Sequence, residues 1–281
     1  MSAKEIQLCA INNIQSGGCK EDCKFCTQSV HNDVKIDAYA LKSTQQILKE
    51  AKKAKLNRAV GFCLVTSGKK MSDSLCEFLA ATAHEIKKEL PHFNLIACNG
   101  LASKQQLQHL KDAGVNSYNH NLETSQNFYK QICTTHSWQE RYETCQNVQS
   151  VGLNLVCGGI FGLGESQEDR ISLLQSIAHL NPKTTPINFF IPSIGLAIDA
   201  SPIKKDEALE IIKTARKMLP TQKLMAAGGR ERVFGNDQKE LFEAGIDAIV
   251  IGDYLTAKGA KTAQDIKMIE DFGFKVAKRC Q

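Results

Sequence analysis

No stretch of the 281-residue sequence comes near the roughly 20 consecutive apolar residues that a membrane-crossing helix needs. The opening run Met1-Ser2-Ala3-Lys4-Glu5-Ile6-Gln7 also lacks the apolar centre of a signal peptide. No segment is rich enough in proline, glycine or serine to serve as a linker, and none is of low complexity. Charge of one sign is gathered nowhere: a net charge of +5 is modest for the length, and basic and acidic side chains are interspersed. These absences predict one domain over residues 1–281, a cytoplasmic location, and a surface with no preference for nucleic acid or membrane. What is present is 42% hydrophobic residues, enough at this length for a substantial core, and eleven cysteines. In a reducing compartment that number is not a disulfide framework, so the cysteines need another explanation.

Three of them form the run Gly17-Gly18-Cys19-Lys20-Glu21-Asp22-Cys23-Lys24-Phe25-Cys26, a C-x3-C-x2-C spacing with an aromatic residue before the last cysteine. Three thiolates on a short loop hold three corners of a cubane iron–sulfur cluster and leave one iron open, because no fourth cysteine follows at cluster spacing. Zinc is the competing reading, with His31 as a fourth ligand, although structural zinc sites are closed by paired motifs that this loop does not have. Cys9, Cys76, Cys133, Cys145 and Cys280 are read as including several small core residues.

Apolar, β-branched runs near 5–11, 58–65, 93–98, 117–122, 153–160, 186–191, 222–227 and 247–252 alternate with amphipathic stretches at 44–54, 72–90, 105–113, 138–151, 167–180, 205–219, 237–244 and 263–272. Glycine closes several of the latter, as in Asp112-Ala113-Gly114 and Glu243-Ala244-Gly245. Eight such units predict an α/β fold, a single (βα)8 TIM-type barrel, with a doubly wound open sheet as the alternative. On a barrel, chemistry collects at the carboxyl ends of the strands, and the cysteine loop follows the first of them. Cys63, Cys98 and Cys157 lie on three other strands and converge if each points inward; core packing is the competing reading for each one alone. Asn119 and Asn121, two apart on one strand, share a face, with His120 on the other.

The C-x3-C-x2-C run resembles the signature of the radical S-adenosylmethionine enzymes, in which the cofactor chelates the open iron. More specifically, Cys26-Thr27-Gln28-Ser29, the run Tyr118-Asn119-His120-Asn121-Leu122-Glu123-Thr124-Ser125 and Gly228-Gly229-Arg230-Glu231 resemble the biotin synthase family. That resemblance implies a 4Fe-4S cluster on Cys19, Cys23 and Cys26, and a sulfur-donating 2Fe-2S cluster on Cys63, Cys98, Cys157 and Arg230. Read from the residue alone, Arg230 is an anion-binding or ion-paired side chain, since a guanidinium has no lone pair to offer. The resemblance further implies that Glu123, Arg141 and Ile160 bind S-adenosyl-L-methionine: Glu123 at the ribose hydroxyls, where better-known relatives carry aspartate, Arg141 at the methionyl carboxylate, and Ile160, within Gly158–Glu165, against the purine. It implies dethiobiotin as substrate, held by Asn119, Asn121 and Asn188.

The implied reaction is sulfur insertion into dethiobiotin, started by a 5′-deoxyadenosyl radical, with no side chain acting as an acid or base. A flavodoxin- or ferredoxin-type electron donor and a homodimer are implied in the same way. Methylornithine synthase and hydrogenase maturases share the scaffold, and Cys63, Cys98, Cys157 and Arg230 argue against them; a non-catalytic iron–sulfur carrier would not need a complete barrel. The segments 64–70 and 191–195 depart from the better-known relatives and border the expected substrate site.

Overall fold

Serines decide where many of the helices begin. Ser43, Ser103, Ser137 and Ser166 each accept a hydrogen bond from the third backbone N–H of a helix, and a Gln, Glu or Asp at that third position reaches back to close a capping box. A fifth serine, Ser72, caps without the reciprocal contact. The chain of the computed structural model, described over residues 4–280, then runs β1 (Glu5–Gln15), α1 (Thr44–Leu56), β2 (Gly61–Thr66), α2 (Asp73–Glu89), β3 (Asn94–Cys98), α3 (Lys104–Asp112) and β4 (Ser117–Asn119). It continues through α4 (Tyr129–Ile132), α5 (Trp138–Ser150), β5 (Asn154–Val156), β6 (Gly159–Phe161), α6 (Gln167–Leu180), β7 (Thr184–Phe189) and α7 (Lys205–Met218). The last elements are β8 (Lys223–Ala226), α8 (Arg230–Phe234), α9 (Lys239–Glu243), β9 (Ala248–Ile251), α10 (Thr262–Asp271) and β10 (Lys275–Val276).

All strand pairings are parallel, in the order β1-β2-β3-β4-β5-β7-β8-β9, and β9 pairs back onto β1. The sheet is therefore a closed (βα)8 barrel, and the open-sheet alternative falls. Both β5 and β6 pair with β7, so they are two halves of one barrel strand, broken at Cys157-Gly158. The break has a steric cause, since a Cβ on Gly158 would lie 1.9 Å from the Pro186 carbonyl oxygen. Only glycine lets the two backbones pass this closely. The short β10 pairs with the start of β1, and neither it nor α4 is foreseen by the sequence pattern.

Register sorts each strand into an inner and an outer face, because partners across a parallel pair point the same way. Phe62, Leu64, Leu95, Ala97, Tyr118 and Leu155 face the helices and belong to the large core that also takes Leu79, Ala83 and Ile86 from α2. Full burial of each such aliphatic side chain contributes about 1.5–3 kcal/mol. The opposite face is a thinner packing of Cys63, Val65 and Ile96 with Ile11 and Cys98, joined through Ile11 to Met225, Ala227, Ala248 and Val250 with Cys9. This is the barrel interior.

Candidate active site

The cysteine loop leaves the carboxyl end of β1 through Gly17 and Gly18, whose φ angles of 78° and 67° are left-handed. The loop is held from within. Asn32 donates from one amide nitrogen to the carbonyls of Cys23 (3.0 Å) and Cys26 (2.8 Å), and Gln28 accepts from the N–H of Gly17 at 3.1 Å. The Cys19 backbone exchanges hydrogen bonds with Gln28 and Val30. Asp22 clamps the loop onto the barrel by accepting from the backbone of Thr134 and Thr135 and from both of their hydroxyls. Although burial works against its charge, these donors hold its carboxyl well below the usual carboxylate range. Burial pushes the Cys26 thiol up to about 11, and Cys19 lies close enough to add to that shift, so the loop thiols share one neighbourhood. A cluster that draws three thiolates together fits this loop, and metal binding would remove the protons that burial now favours.

Beside the loop, a serine cap and a tryptophan fix Arg141. Ser137 starts α5, Trp138 donates its indole N–H to the Thr124 carbonyl at 3.1 Å and stacks on Tyr142, and Arg141 is thereby aimed into the mouth of the barrel. Its Nε donates to the Asn121 carbonyl (2.6 Å), its Nη2 to Glu123 (2.9 Å), and its Nη1 lies 3.3 Å from His136 Nε2. With three of five N–H groups engaged, two remain for a ligand. Its side chain is only 14% exposed, so it is not a solvated surface arginine. Glu123 has a left-handed φ of 68°, and its second carboxylate oxygen is buried without a partner. Burial raises its pKa against the opposing pull of Arg141. An unpaired buried acceptor beside unspent arginine donors fits a ligand that brings hydroxyls and a carboxylate together.

The Gly158–Glu165 segment folds as a tight turn packed against Glu123. The Ile160 N–H donates to the Glu123 carbonyl (2.8 Å), and a Cβ on Gly159 would stand 2.6 Å from that same oxygen. Ile160 itself is half-buried, opposite Asn188 on β7. Glu165 turns inward to accept from the N–H groups of Gly162 (2.8 Å) and Leu163 (2.6 Å), which closes the turn.

The three asparagines have different situations. Asn119 shares the inner face with Val156, and its amide oxygen is buried without a partner. Asn121 accepts from the Gly158 N–H at 3.1 Å, so its amide oxygen is committed to the wall of the site. Asn188 is committed as well, donating to the Gly159 carbonyl and accepting from the Gly228 N–H, both at 3.0 Å. His120, as the alternation requires, faces outward beside the Tyr118 ring.

The four residues expected around a second cluster do not converge. Cys63 and Cys98 share the interior, with the Cys98 thiol near enough to hydrogen-bond Cys63 and raise its pKa. Cys157 faces the other way. The register that pairs Asn119 with Val156 puts Val156 inside and Cys157 outside, fully buried, with its sulfur 3.8 Å from Cys145 on α5. Arg230 is also outside the barrel. It is fully buried in a bidentate pair with Asp265 of α10 (3.0 Å to each oxygen) and also donates to Glu231, Gln238 and the Val250 carbonyl. Burial opposes its charge, but Asp265 and Glu231 hold the pKa above the ordinary guanidinium value. It has no lone pair to ligate iron, and the ion-paired reading of this residue is the one that describes it.

Two residues with no role in the sequence reading stand at the cluster loop. The Cys133 sulfur lies 3.6 Å from that of Cys23 and 3.2 Å from His136 Nδ1, which in turn is 2.7 Å from Glu21. Hydrogen bonds from Cys23 and then His136 bring the Cys133 thiol below the ordinary thiol value, against the opposing effect of burial. The C-x2-H spacing of 133 and 136 was the available signal. The divergent segment after β7 also touches the loop, since Gly195 accepts from the Asp33 N–H (2.9 Å) and Ala197 donates to Asn32 (3.1 Å).

A parallel barrel with three loop thiols beside an arginine–carboxylate pair defines a radical S-adenosylmethionine enzyme, and residues 13–177 match the Radical SAM superfamily. Residues 186–275 match the Biotin and Thiamin Synthesis associated domain; the two stretches meet between α6 and β7, within one closed sheet. The chain belongs to the biotin synthase family. It is 51% identical to a biotin synthase of Aliarcobacter butzleri over 100% of this chain and 99% of the other. It is 53% identical to one of Sulfurovum sp. over 99% and 98%, and 52% identical to one of Helicobacter pylori over 99% of each. In fold it resembles an FeFe-hydrogenase maturase from Carboxydothermus hydrogenoformans (TM-score 0.84, 17% identity, 96% of this chain and 67% of that one). A methylornithine synthase is similar in fold (TM-score 0.82, 19% identity, 97% and 84%). The family uses S-adenosylmethionine with a 4Fe-4S and a 2Fe-2S cluster. Among the described residues no helix is long and apolar enough to cross a membrane.

Proposed function

We propose that this chain converts dethiobiotin to biotin by radical insertion of sulfur, with S-adenosylmethionine bound at the cysteine loop. The observation that carries the reading is the pairing of a preorganised three-thiol loop with Glu123 and Arg141, which hold one unspent carboxylate oxygen and two unspent N–H donors. Full-length kinship with biotin synthases supports the choice of substrate. When bound, the cubane and its cofactor supply the one-electron cleavage that yields a hydrogen-abstracting radical.

The chain's own residues do the rest by placement. Cys19, Cys23 and Cys26 would hold the cluster through their three thiolates. Arg141 meets the methionyl carboxylate of the cofactor, and Glu123 Oε2 accepts from its ribose hydroxyls. Gly158 and Gly159 allow close backbone approach, and Ile160 presents an apolar surface to the purine. Asn119, facing inward with an open amide oxygen, accepts a urea N–H of dethiobiotin; Asn121 and Asn188 fix the backbone around it. Of the groups expected to hold the two-iron cluster, Cys63 and Cys98 lie together on the inner face of the barrel, Cys157 packs on Cys145, and Arg230 is paired with Asp265. The barrel walls exclude water from the radical path. We assign the enzyme to the cytoplasm, as a homodimer reduced by a flavodoxin- or ferredoxin-type donor, with no nucleic-acid or membrane partner.

Anaerobic incubation with a low-potential reductant, S-adenosylmethionine and dethiobiotin tests this. Biotin and 5′-deoxyadenosine should both form, and both should depend on dethiobiotin. 5′-Deoxyadenosine without biotin would point to a different substrate; neither product would end the radical reading.

A further inference from the structure

We propose that Cys23, Cys133 and His136 form a mononuclear site for a borderline-soft divalent cation, zinc by preference, which fills when the loop carries no cluster. The site goes beyond the function above, since it needs neither dethiobiotin nor S-adenosylmethionine.

The loop alone offers C-x2-C at Cys23 and Cys26, one half of a structural zinc motif. His31 does not complete it, because its ring is exposed and its Nε2 meets the Lys20 carbonyl at 3.1 Å. The other half comes from the turn between α4 and α5, where Cys133 and His136 supply C-x2-H. The sulfurs of Cys23 and Cys133 are 3.6 Å apart, and the Cys133 sulfur is 3.8 Å from His136 Nε2. Bonds of about 2.3 Å to sulfur and about 2.0 Å to nitrogen give a tetrahedral ion ligand-to-ligand edges of about 3.8 Å and about 3.6 Å. All three donor groups lie within 4.8 Å of one another. The side chains therefore stand where one ion would need them. Cys26, tied to Cys23 by a turn in which its N–H donates to the Cys23 carbonyl at 3.0 Å, is the thiol within reach of the fourth position.

The surroundings are those of a ligand set. Cys133 is 1% and His136 8% exposed. His136 Nδ1 is nearer the Cys133 sulfur, at 3.2 Å, but Glu21 Oε2 takes it at 2.7 Å. That carboxylate–imidazole contact fixes a ligating histidine with its Nε2 turned to the metal. As the chain stands, Arg141 Nη1 lies 3.3 Å from Nε2, and the Cys133 thiol donates to Asp22 Oδ1 at 3.2 Å. A cation would replace both contacts, expelling the thiol protons to solvent and releasing one arginine N–H. Asp22 keeps its donors from Thr134 and Thr135. Zinc binds a given set of such ligands more tightly than iron(II) does. Cys23 cannot serve this ion and the cubane together, so zinc here withholds one corner of the cluster.

The test is anaerobic titration of the full-length chain, prepared without iron, with Co2+ as the spectroscopic probe and Zn2+ as its competitor. The parent should take up a single equivalent of Co2+, show the d–d and thiolate charge-transfer bands of a tetrahedral ion, and release it to Zn2+. Cys133→Ser and His136→Gln should each weaken Co2+ binding by more than about 100-fold, and Glu21→Gln by about 10- to 100-fold, as an outer-shell partner does. Cys19→Ala should bind as the parent does. Zn2+ should also hold back cubane formation from iron and sulfide in the parent, and not in Cys133→Ser. Far-ultraviolet circular dichroism of each variant separates a lost site from a lost fold. Parental affinity and bands in both Cys133→Ser and His136→Gln, or their loss in Cys19→Ala alone, would put the metal on the loop thiols and overturn the site. A parent without tetrahedral Co2+ bands reduces the trio to a hydrogen-bonded strut and overturns it too. None of these readouts involves S-adenosylmethionine or dethiobiotin, so their failure leaves the proposed function standing.

Discussion

Removing the Arg230 guanidinium should destabilise the fold and leave the clusters alone. Arg230 is fully buried and its fork grips both oxygens of Asp265 at 3.0 Å, with Asp265 itself only 3% exposed. The pair ties the turn after β8 to α10, and Glu231 and the Val250 carbonyl share the same guanidinium. Deleting one partner of such a pair strands an uncompensated buried charge and costs about 3–5 kcal/mol. At roughly 2–4 °C per kcal/mol for a domain approaching this size, Arg230→Ala should lower the melting temperature by on the order of 10 °C. Asp265→Asn should lose a comparable amount, because it strands the same arginine from the other side. Replacing both, as Arg230→Met with Asp265→Leu, should recover most of the loss, since no charge is then left unpaired. Urea titration of the anaerobic holoprotein, followed by far-ultraviolet circular dichroism, reads the stability, and visible spectra of the same samples read the clusters. The reasoning is refuted if Asp265→Asn is as stable as the parent while Arg230→Ala loses the two-iron spectrum at unchanged stability, for then the guanidinium is a ligand and not a strut.

Cys26→Ala should abolish reductive cleavage of S-adenosylmethionine with the fold largely intact, and 5′-deoxyadenosine formation at the parental rate would contradict the loop assignment. Asn119→Ala should raise the dethiobiotin KM by about 5- to 150-fold, the equivalent of 1–3 kcal/mol for a lost hydrogen bond at a buried polar ligand. Asn121→Ala should instead weaken S-adenosylmethionine binding, because its amide oxygen holds the Gly158 N–H in place; steady-state kinetics with each ligand varied separates the two. Burial raises the Glu123 pKa above its unfolded value, so the protonated form becomes populated at a higher pH than for an exposed glutamate. Cofactor affinity, measured by equilibrium dialysis, should therefore weaken as pH falls through that raised value, and Glu123→Gln should be weak throughout and flat with pH.

The alternation of apolar runs and amphipathic stretches was enough to count the barrel strands, because period and caps are local properties. The cysteine loop was equally plain, being a local spacing. What the sequence could not carry was the direction of a side chain at an irregularity. Alternation along 153–160 invites the view that Cys157 points inward, yet the close pass of Gly158 under Pro186 breaks the strand, and the register inherited from β4 gives the inner place to Val156. Arg230 fails for a similar reason: Gly229, with a φ of 82°, starts a short helix there, and a carboxylate thirty-five residues downstream captures the side chain. These two positions share one lesson about the site.

Gly158→Ala tests that lesson. Its Cβ would meet the Pro186 carbonyl oxygen at 1.9 Å and the carbonyl carbon at 2.8 Å, both backbone atoms that cannot swing aside. Strand β5 or β7 must then shift, at a cost of about 1–3 kcal/mol for an overpacked contact. The shift also moves the Gly158 N–H away from Asn121 and the Gly159 carbonyl away from Asn188, so the walls of the cofactor pocket move with it. Cofactor affinity should fall together with stability, whereas a substitution that only strained the core would lower stability alone. A variant that is destabilised but binds S-adenosylmethionine as tightly as the parent would show that the strand break shapes the barrel and not the site.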